Sequence, residues 1–525
     1  MKKQYGILMM GAALFLASCQ KDFLNTQPID FISPDNFSSE KDVELAVNGI
    51  YKALVLDSRD PVFLDFMTDN GFMDKAFSGE IEFWDQSQNP NSIIAESKWD
   101  NSYQGILRAN TVIKYTPDVR MGEELKKQKI GEALFLRAYF YLYLTELYGD
   151  VPYRKEPEGL EKKDSPRVSK EIIVDDMLKD LDSAASWLKP TYTGVDIGRA
   201  TSGAALALKA RYLLYNEKWE DAAKACQDVI DLKVHSLYSS YSGLFNINNE
   251  NNPEVLFDIQ FLKNQSGRGL SSSWYTYFYN WSSYMGLANL EREYYMTNGK
   301  HIEAAGSGYQ VNKPWLNRDP RLAVNFTLPY TMDGYNANGT DKLYIPNAKK
   351  ASNFSSLRIR KWVDYTDNGL NSVSGLNVIL LRYADVLLMR AEALLKSGGD
   401  RDEVVSLINQ VRQRPTVMMP KVEDSEGTNL TDEQLENIIK HERRVEFAFE
   451  GTRIFDIKRW DLGADVITNA LGYRPEKLIT SQNSSTYELY AFRSRAFNTK
   501  KGYLWPIPTS EIQSNKAIIN NNPGY

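Results

Sequence analysis

The stretch Ala204–Leu232, AALALKARYLLYNEKWEDAAKACQDVIDL, contains the unit from which this 525-residue chain is built. Apolar residues recur there at three- and four-residue spacing on both sides of the short segment Asn216-Glu217-Lys218-Trp219. This periodicity predicts two amphipathic helices, at 202–215 and 219–231, joined by a tight turn. The small residues Ala210 and Ala222 would let the two backbones approach closely.

This pairing resembles the tetratricopeptide pattern, in which a small residue on each helix allows close packing and a larger side chain fills the space behind. Cys226 and Val229 follow Ala222 at the spacing of that filling layer. We therefore interpret Cys226 as a packing residue and not as a reactive thiol.

The same helical periodicity continues along the chain and predicts a mainly α-helical fold class. Tyr383–Arg414 repeats the first pair, with a Gly398-Gly399-Asp400 turn between its two apolar faces. The two helices of this second pair are predicted at 379–397 and 400–413. The remaining predicted helices span residues 39–55, 98–115, 123–148, 170–188 and 432–450.

Two stretches lack a sustained helical period. Residues 233–378 are rich in Gly, Asn, Ser, Pro and Tyr and contain one alternating, strand-like piece, Glu254–Phe261. A shorter stretch of the same kind runs from Thr68 to Ala95. Long irregular segments beside a regular scaffold are where binding loops are usually found, so these two stretches are the candidate ligand surfaces.

The N-terminus has the form of a bacterial lipoprotein signal. Lys2 and Lys3 precede a short apolar run, and Leu16-Ala17-Ser18-Cys19 ends it with small residues before a cysteine. This order is typical of a cleaved secretory signal, which is too short to span a membrane. We predict a signal peptide at 1–18, a lipidated leader at 19–38 that starts with Cys19, and a body at 39–525.

Composition excludes several classes of function. Without residues 1–18 the chain has 60 basic and 68 acidic residues, a formal net charge of −8, and no basic tract for a nucleic acid. Cys226 alone remains after Cys19, so no intrachain disulfide is expected. The three histidines are not spaced as metal ligands, and we predict neither a metal nor a cofactor.

A series of short motifs runs along the chain. The most specific is ERRVEFAFEGTR at 442–453, followed by DIKRW at 456–460, which together are called the hallmark here. The others are NGIY at 48–51, RAN at 108–110, LRAY at 136–139, YGDVP at 148–152, GRA at 198–200, NRDPRL at 317–322, LRYAD at 381–385, RAEA at 390–393, INQVR at 408–412, WPIP at 505–508 and NPGY at 522–525. In content and order these motifs resemble the SusD/RagB family of outer-membrane nutrient-binding lipoproteins, and the resemblance covers essentially the whole mature chain.

The resemblance implies a surface lipoprotein that captures a glycan or another nutrient above a SusC-type TonB-dependent transporter. It also implies an α-helical superhelix of about four tetratricopeptide-like pairs, with a loop-rich half that binds the ligand. In this chain the helical scaffold would be 39–232 and 379–460, and the ligand-binding region mainly 233–378. Cys19 would anchor the protein to the outer membrane, facing the outside.

Sugar binding favours aromatic rings for stacking, with planar amide, carboxylate and guanidinium groups for the hydroxyls. The densest supply of rings is WYTYFYNW at 274–281, so Trp274, Tyr277, Tyr279 and Trp281 are the first candidates. Some of these rings could instead serve packing or a protein interface. The second supply is Phe72, Phe77, Phe83 and Trp84, and Trp315 is a further candidate. Trp99 has the spacing of a core residue.

The charged residues of the hallmark favour a structural network over catalysis. Their opposite signs recur at helical spacing, as expected for paired charges that fix one helix against its neighbours. A glycosidase would need two carboxylates at a defined separation, which a sequence does not supply. Two rival classes stay open: a secreted glycoside hydrolase, and a tetratricopeptide adaptor that binds only protein.

Overall fold

The computed structural model describes residues 37–56, 60–73, 80–157, 164–263, 278, 284–335, 341–345, 355–363, 374–474 and 487–525. Helices dominate this part of the chain. The longer ones are α1 (Glu40–Leu56), α2 (Ile93–Tyr115), α3 (Glu123–Tyr148), α4 (Lys170–Trp187), α5 (Ser202–Tyr215), α6 (Trp219–Asp231), α7 (Tyr383–Lys396), α8 (Arg401–Arg412), α9 (Asp432–Glu446) and α10 (Arg453–Arg459).

The helices pack as a stack of neighbours. Each helix from α1 to α6 contacts the next, and α7 continues the stack by packing against α6 and then against α8. Four antiparallel pairs result, α1/α2, α3/α4, α5/α6 and α7/α8, and α9 packs on α7. The predicted mainly α-helical superhelix is confirmed.

Local sequence explains how the two helices of a pair pack together and how the turn between them forms. In α5/α6 the side chains of Ala210, Ala222 and Cys226 are fully buried, as the small-residue pattern predicts. In α7/α8 the turn places Gly398 at φ +71°, a left-handed conformation that glycine adopts without strain. The Asp400 carboxylate then accepts a hydrogen bond from the Asp402 amide at 2.9 Å and caps α8.

Three predicted helices have limits in the structure that differ by several residues. Helix α2, predicted over 98–115, begins already at Ile93. Residues Val378–Arg382 form strand β10, and α7 begins only at Tyr383. The run Val378-Ile379-Leu380-Leu381 is as suitable for a buried strand as for a helix, and pairing with a second strand decides the outcome. Helix α9 ends at Glu446, before Phe449 takes a positive φ of 62°.

Short strands occur mainly in the loop-rich half, and one pair, β2/β3, lies between α3 and α4. They are β1 (Gly71–Met73), β2 (Val151–Pro152), β3 (Arg167–Val168), β4 (Val255–Ile259), β5 (Tyr284–Gly286), β6 (Phe326–Thr327), β7 (Met332–Tyr335), β8 (Asp341–Leu343), β9 (Arg358–Ile359), β10, β11 (Ala470–Tyr473) and β12 (Leu489–Arg493). A four-stranded sheet has the order β1-β5-β9-β6, and β4/β10, β11/β12, β2/β3 and β7/β8 form antiparallel pairs.

One large apolar core joins the helical stack to these strands. Phe257 of β4 packs edge-on against Phe135 of α3, with ring centroids 4.8 Å apart. Phe449, just after α9, packs against Phe326 of β6 at 5.4 Å. Among the helices described, none combines the length and the apolarity that a membrane crossing requires.

Candidate functional site

Several predicted site residues lie outside the described residues. They are Trp274, Tyr277, Tyr279 and Trp281 of the aromatic run, Phe77 of the second irregular stretch, and Cys19. Their assignment as ligand-binding or lipid-bearing residues stays a prediction. The division into signal peptide, leader and body stays one as well.

Trp84 is buried, which corrects the hypothesis that it stacks on a sugar. Its exposed fraction is 2 %, and Phe72 packs edge-on against it with ring centroids 5.0 Å apart. The Arg495 guanidinium carbon lies 4.2 Å from the centre of the Trp84 ring. Phe83 is also buried, at 4.3 Å from the Trp505 ring. Enclosed rings present no face to a ligand, so we assign Trp84, Phe72 and Phe83 to packing.

Trp315 lies in an aromatic cluster at the surface of the loop-rich half. Its ring centroid is 4.7 Å from that of Tyr487 and 5.9 Å from that of Tyr473, both edge-to-face. Trp315 and Tyr487 are partly exposed, whereas Tyr473 is buried and donates a 2.7 Å hydrogen bond to Glu291 Oε2. The Nε1–H of Trp315 is buried and has no hydrogen-bond partner within the described chain, as is also true of Trp84 Nε1.

Tyr330, a neighbour of Tyr487, adds a second unpartnered polar atom beside this cluster. Its Oη is buried and has no hydrogen-bond partner in the described ranges. Its backbone φ is +61°, an uncommon conformation for a bulky residue and one that is enriched at functional sites. Burial raises the pKa of Tyr330, and burial together with the nearby Tyr330 hydroxyl raises the pKa of Tyr487. Both phenols are therefore neutral hydrogen-bonding groups at physiological pH.

An ion pair beneath the cluster fixes the loop that carries Trp315. Arg318 Nη1 lies 2.8 Å from Glu291 Oε1 and donates to the Pro314 carbonyl at 2.6 Å. The same Glu291 accepts from Tyr473, so one carboxylate links the Trp315 loop to β11. We expect an aromatic platform held in this way to lose little conformational entropy when it binds a ligand.

The sequence identified Trp315 but missed Tyr487, Tyr473 and Tyr330. A signal for Tyr487 was present, because Tyr487, Leu489 and Ala491 alternate with Glu488, Tyr490 and Phe492 as on the two faces of a strand. No local pattern distinguished Tyr330. Its position depends on a backbone hydrogen bond from its amide to the Tyr344 carbonyl, at 2.8 Å.

The charges of the hallmark form a buried network, as the sequence predicts. Glu446 Oε1 lies 2.8 Å from both Arg414 Nη2 and Arg382 Nη1, and its Oε2 lies 2.9 Å from Arg321 Nη1. Burial alone would raise the pKa of Glu446, but these three arginines hold it well below its usual range. Further hallmark ion pairs include Arg443–Asp385, Arg443–Asp456, Arg444–Asp69, Arg453–Asp69, Arg459–Glu392 and Lys361–Glu450.

This network has the geometry of a structural clamp. It connects α7, α9 and α10 with β10 and with the segment before β1, and its carboxylates are turned to arginine or lysine and away from solvent. A general acid or a nucleophile for glycoside hydrolysis must instead face the substrate. In the described ranges, no group of three or more His, Cys, Asp or Glu side chains is arranged to hold a metal ion.

Two family models match the chain. The model described as "SusD family" matches residues 253–525, which include the aromatic cluster and the hallmark network. The model described as "Starch-binding associating with outer membrane" matches residues 22–214, which include the first two helix pairs.

Individual proteins resemble the chain over nearly its whole length. SusD-like protein P25 of Formosa agariphila is 27% identical, with 97% of each chain covered. The starch-binding protein SusD of Bacteroides thetaiotaomicron is 23% identical, with 84% of this chain and 80% of that protein covered. A crystal structure of a SusD-like protein from Bacteroides fragilis covers 95% of this chain and all of its own, at 26% identity and a TM-score of 0.83.

Proposed function

Because this chain belongs to the SusD family, we propose that it is a non-catalytic surface lipoprotein that binds a glycan and delivers it to a SusC-type TonB-dependent transporter. Carbohydrate binding is supported by the starch-binding description of the second family model and by the name of the Bacteroides thetaiotaomicron relative. The lipid anchor at Cys19, the outward orientation and the transporter partner are the further parts of the proposal.

The aromatic cluster is the observation that carries glycan binding. Trp315 and Tyr487 combine partly exposed rings with a rigid support, and Trp315 Nε1 and Tyr330 Oη are polar atoms without a partner in the described chain. Stacking on a pyranose face requires partly exposed rings of this kind. Trp274, Tyr277, Tyr279 and Trp281 are proposed to contribute further rings to the ligand surface.

The charge network supports a binding function over hydrolysis. Glu442 and Glu446 are buried, and both contact Arg321. Protonating a glycosidic oxygen needs a carboxyl group with a raised pKa beside the substrate, whereas the pKa values of Glu442 and Glu446 are lowered by their arginine partners. The network thus stabilises the fold that presents the aromatic cluster.

A glycan panel separates this function from its two rivals. The purified protein would be incubated with immobilised polysaccharides, and both retention and new reducing ends would be followed. Retention without cleavage supports the proposal, whereas new reducing ends would identify a hydrolase. The absence of both retention and cleavage would favour the protein-binding adaptor.

The panel also tests the site. Trp315→Ala and Tyr487→Ala should each weaken retention, because each removes one ring of the platform. Trp187→Ala is the matched control, since Trp187 is 37 % exposed on α4, in the helical scaffold. Equal retention by all three variants would exclude the aromatic cluster as the glycan surface.

A further inference from the structure

A polar cleft lies on the outward face of α8, away from the aromatic cluster. It has a volume of about 570 Å³ and separates α8 from the segment that leads to α9. Val404, Ile408 and Val411 occupy the opposite, buried face of the same helix. The cleft is therefore a surface feature of the fourth helix pair, and its volume lies in the range of ligand sites.

The floor of the cleft is a row of polar side chains with one residue per helical turn. Asp402, Ser406, Asn409 and Gln413 all line it and are spaced four, three and four positions apart. This spacing places them on one face of the helix. At 1.5 Å per residue the row extends along the axis for about 16 Å.

Part of this row is fixed by hydrogen bonds and part is open. Asn409 donates to Glu423 Oε2 at 2.7 Å and accepts from the Val422 amide at 2.9 Å, so its side chain is held in place. Gln413 Nε2 donates to the Met419 carbonyl at 2.5 Å. The side chains of Ser406 and Gln410, which both line the cleft, make no hydrogen bond within the described chain.

The chemistry of the lining favours a peptide over a sugar. No aromatic ring lines this cleft, whose lining residues are all described, so the stacking that sugars require is missing. Amide and hydroxyl groups in a row suit the repeating N–H and C=O groups of an extended backbone, of which about five residues span 16 Å. Val405 and Leu430 supply apolar positions for the alternate side chains.

The charges around the cleft are balanced except at one end. Arg401 pairs with Asp432, and Lys421 lies 4.0 Å from Glu423. Asp402 lines the cleft without an ion pair among the described residues. A mostly uncharged segment with one basic side chain near Asp402 would match this distribution.

We propose that the polar cleft on α8 binds an extended, mostly uncharged peptide segment of another protein, oriented by a basic side chain at Asp402. This inference depends on the geometry of the cleft and is independent of glycan binding at the aromatic cluster.

The test uses an array of 12-residue peptides made of Ser, Thr, Asn and Val with one Arg at varied positions. The full-length protein would be compared with Ser406→Trp, which fills the cleft, and Gln410→Ala, which removes one open amide. Ser186→Trp on α4 is the matched control, because Ser186 is also exposed on a helix of the scaffold. Thermal unfolding of every variant would confirm that it folds.

We expect some peptides to bind both the unchanged protein and Ser186→Trp. These peptides should bind Ser406→Trp at least about tenfold more weakly. Gln410→Ala should lose less, and Asp402→Asn should remove the preference for arginine position. The proposal is overturned if no peptide binds, or if the bound peptides bind Ser406→Trp equally well. Loss of glycan binding in Ser406→Trp with no peptide binding would assign the cleft to sugars instead.

Discussion

The ring of Trp315 packs edge-on against Tyr487, with 4.7 Å between centroids and 70° between ring planes. The two residues come from separate loops, and both reach the same Glu291 carboxylate indirectly, Trp315 through Arg318 and Tyr487 through Tyr473. These contacts hold both rings partly exposed, so the rings are already in position before a ligand binds.

Replacement of Trp315 by Ala should weaken glycan retention by more than about 1 kcal/mol, as expected for a ring at the centre of a binding surface. Because Trp315 is only partly buried, its loss should lower the thermal midpoint only slightly. Isothermal titration with the best glycan of the panel measures the first effect, and thermal unfolding measures the second. An unchanged affinity would remove Trp315 from the site.

Trp84→Ala should act on stability and not specifically on binding. Truncating a large buried ring costs about 3 to 5 kcal/mol of unfolding free energy, because it leaves a cavity between Phe72 and Arg495. Urea unfolding measures this loss. A Trp84→Ala protein with unaltered stability but weakened glycan affinity would show that the ring has a ligand role after all.

Arg414→Met should destabilise the protein by about 3 to 5 kcal/mol, since it removes one partner of the buried Glu446 and Glu254 carboxylates. The exposed pair Lys224–Asp228 on α6 provides the control. Lys224→Met should leave the unfolding free energy almost unchanged, because a solvent-exposed ion pair contributes little to stability. Equal effects of the two variants in urea unfolding would contradict the structural role of the network.

Asp385 should contribute to acid sensitivity. Burial raises the pKa of Asp385, but the opposing effect of Arg443 and Arg211 is larger. The pKa is therefore about 2 in the folded protein, against 3.8 for the free side chain. A lowered folded-state pKa gives stability that is complete above the unfolded value and is lost as the pH falls through the folded one. This contribution should therefore disappear between about pH 4 and pH 2.

Urea midpoints measured from pH 2 to pH 5 check this effect, and Asp385→Asn isolates it. The variant should be less stable at pH 5, and its stability should fall less steeply between pH 4 and pH 2. Parallel curves for the two proteins would show that Asp385 does not titrate in that range.

Cys19→Ala should release the protein from the membrane, because the substitution removes the only thiol at the predicted cleavage point. Cell fractionation and mass spectrometry of the N-terminus would measure the loss of the lipid. Cys226→Ala is the control, since Cys226 is buried in α6 and should leave the anchor intact. Retention of Cys19→Ala in the membrane fraction would reject the lipid anchor.

The sequence predicted most of the scaffold because helix formation is a local property. The periodic spacing placed α3, α5 and α6 at their observed limits. It misassigned residues 379–382 to a helix, because a short buried strand and one turn of a buried helix have the same apolar composition. Only pairing with β4 resolves that ambiguity.

The candidate site was predicted less completely for a related reason. Trp84 and Trp315 are both tryptophans in irregular stretches, and nothing in the neighbouring residues says which ring is enclosed. Trp84 is covered by Phe72 and by Arg495, a residue from the far end of the chain, whereas Trp315 meets Tyr487 at the surface. Exposure is a property of the folded assembly and not of local spacing.

By itself, therefore, the sequence determined the helical repeat, the order of the family motifs, the paired charges of the hallmark and the predicted export signal. The helical repeat, each single motif, the alternating hallmark charges and the signal are patterns of residues that lie close together in the chain, and the motif order needs only the linear sequence. The tertiary structure alone decided that Glu446 meets three arginines, that Trp315 packs against Tyr487 with Tyr330 near Tyr487, and that α8 faces a polar cleft. Each of these features depends on contacts between segments far apart in the chain, which form only when the core has closed.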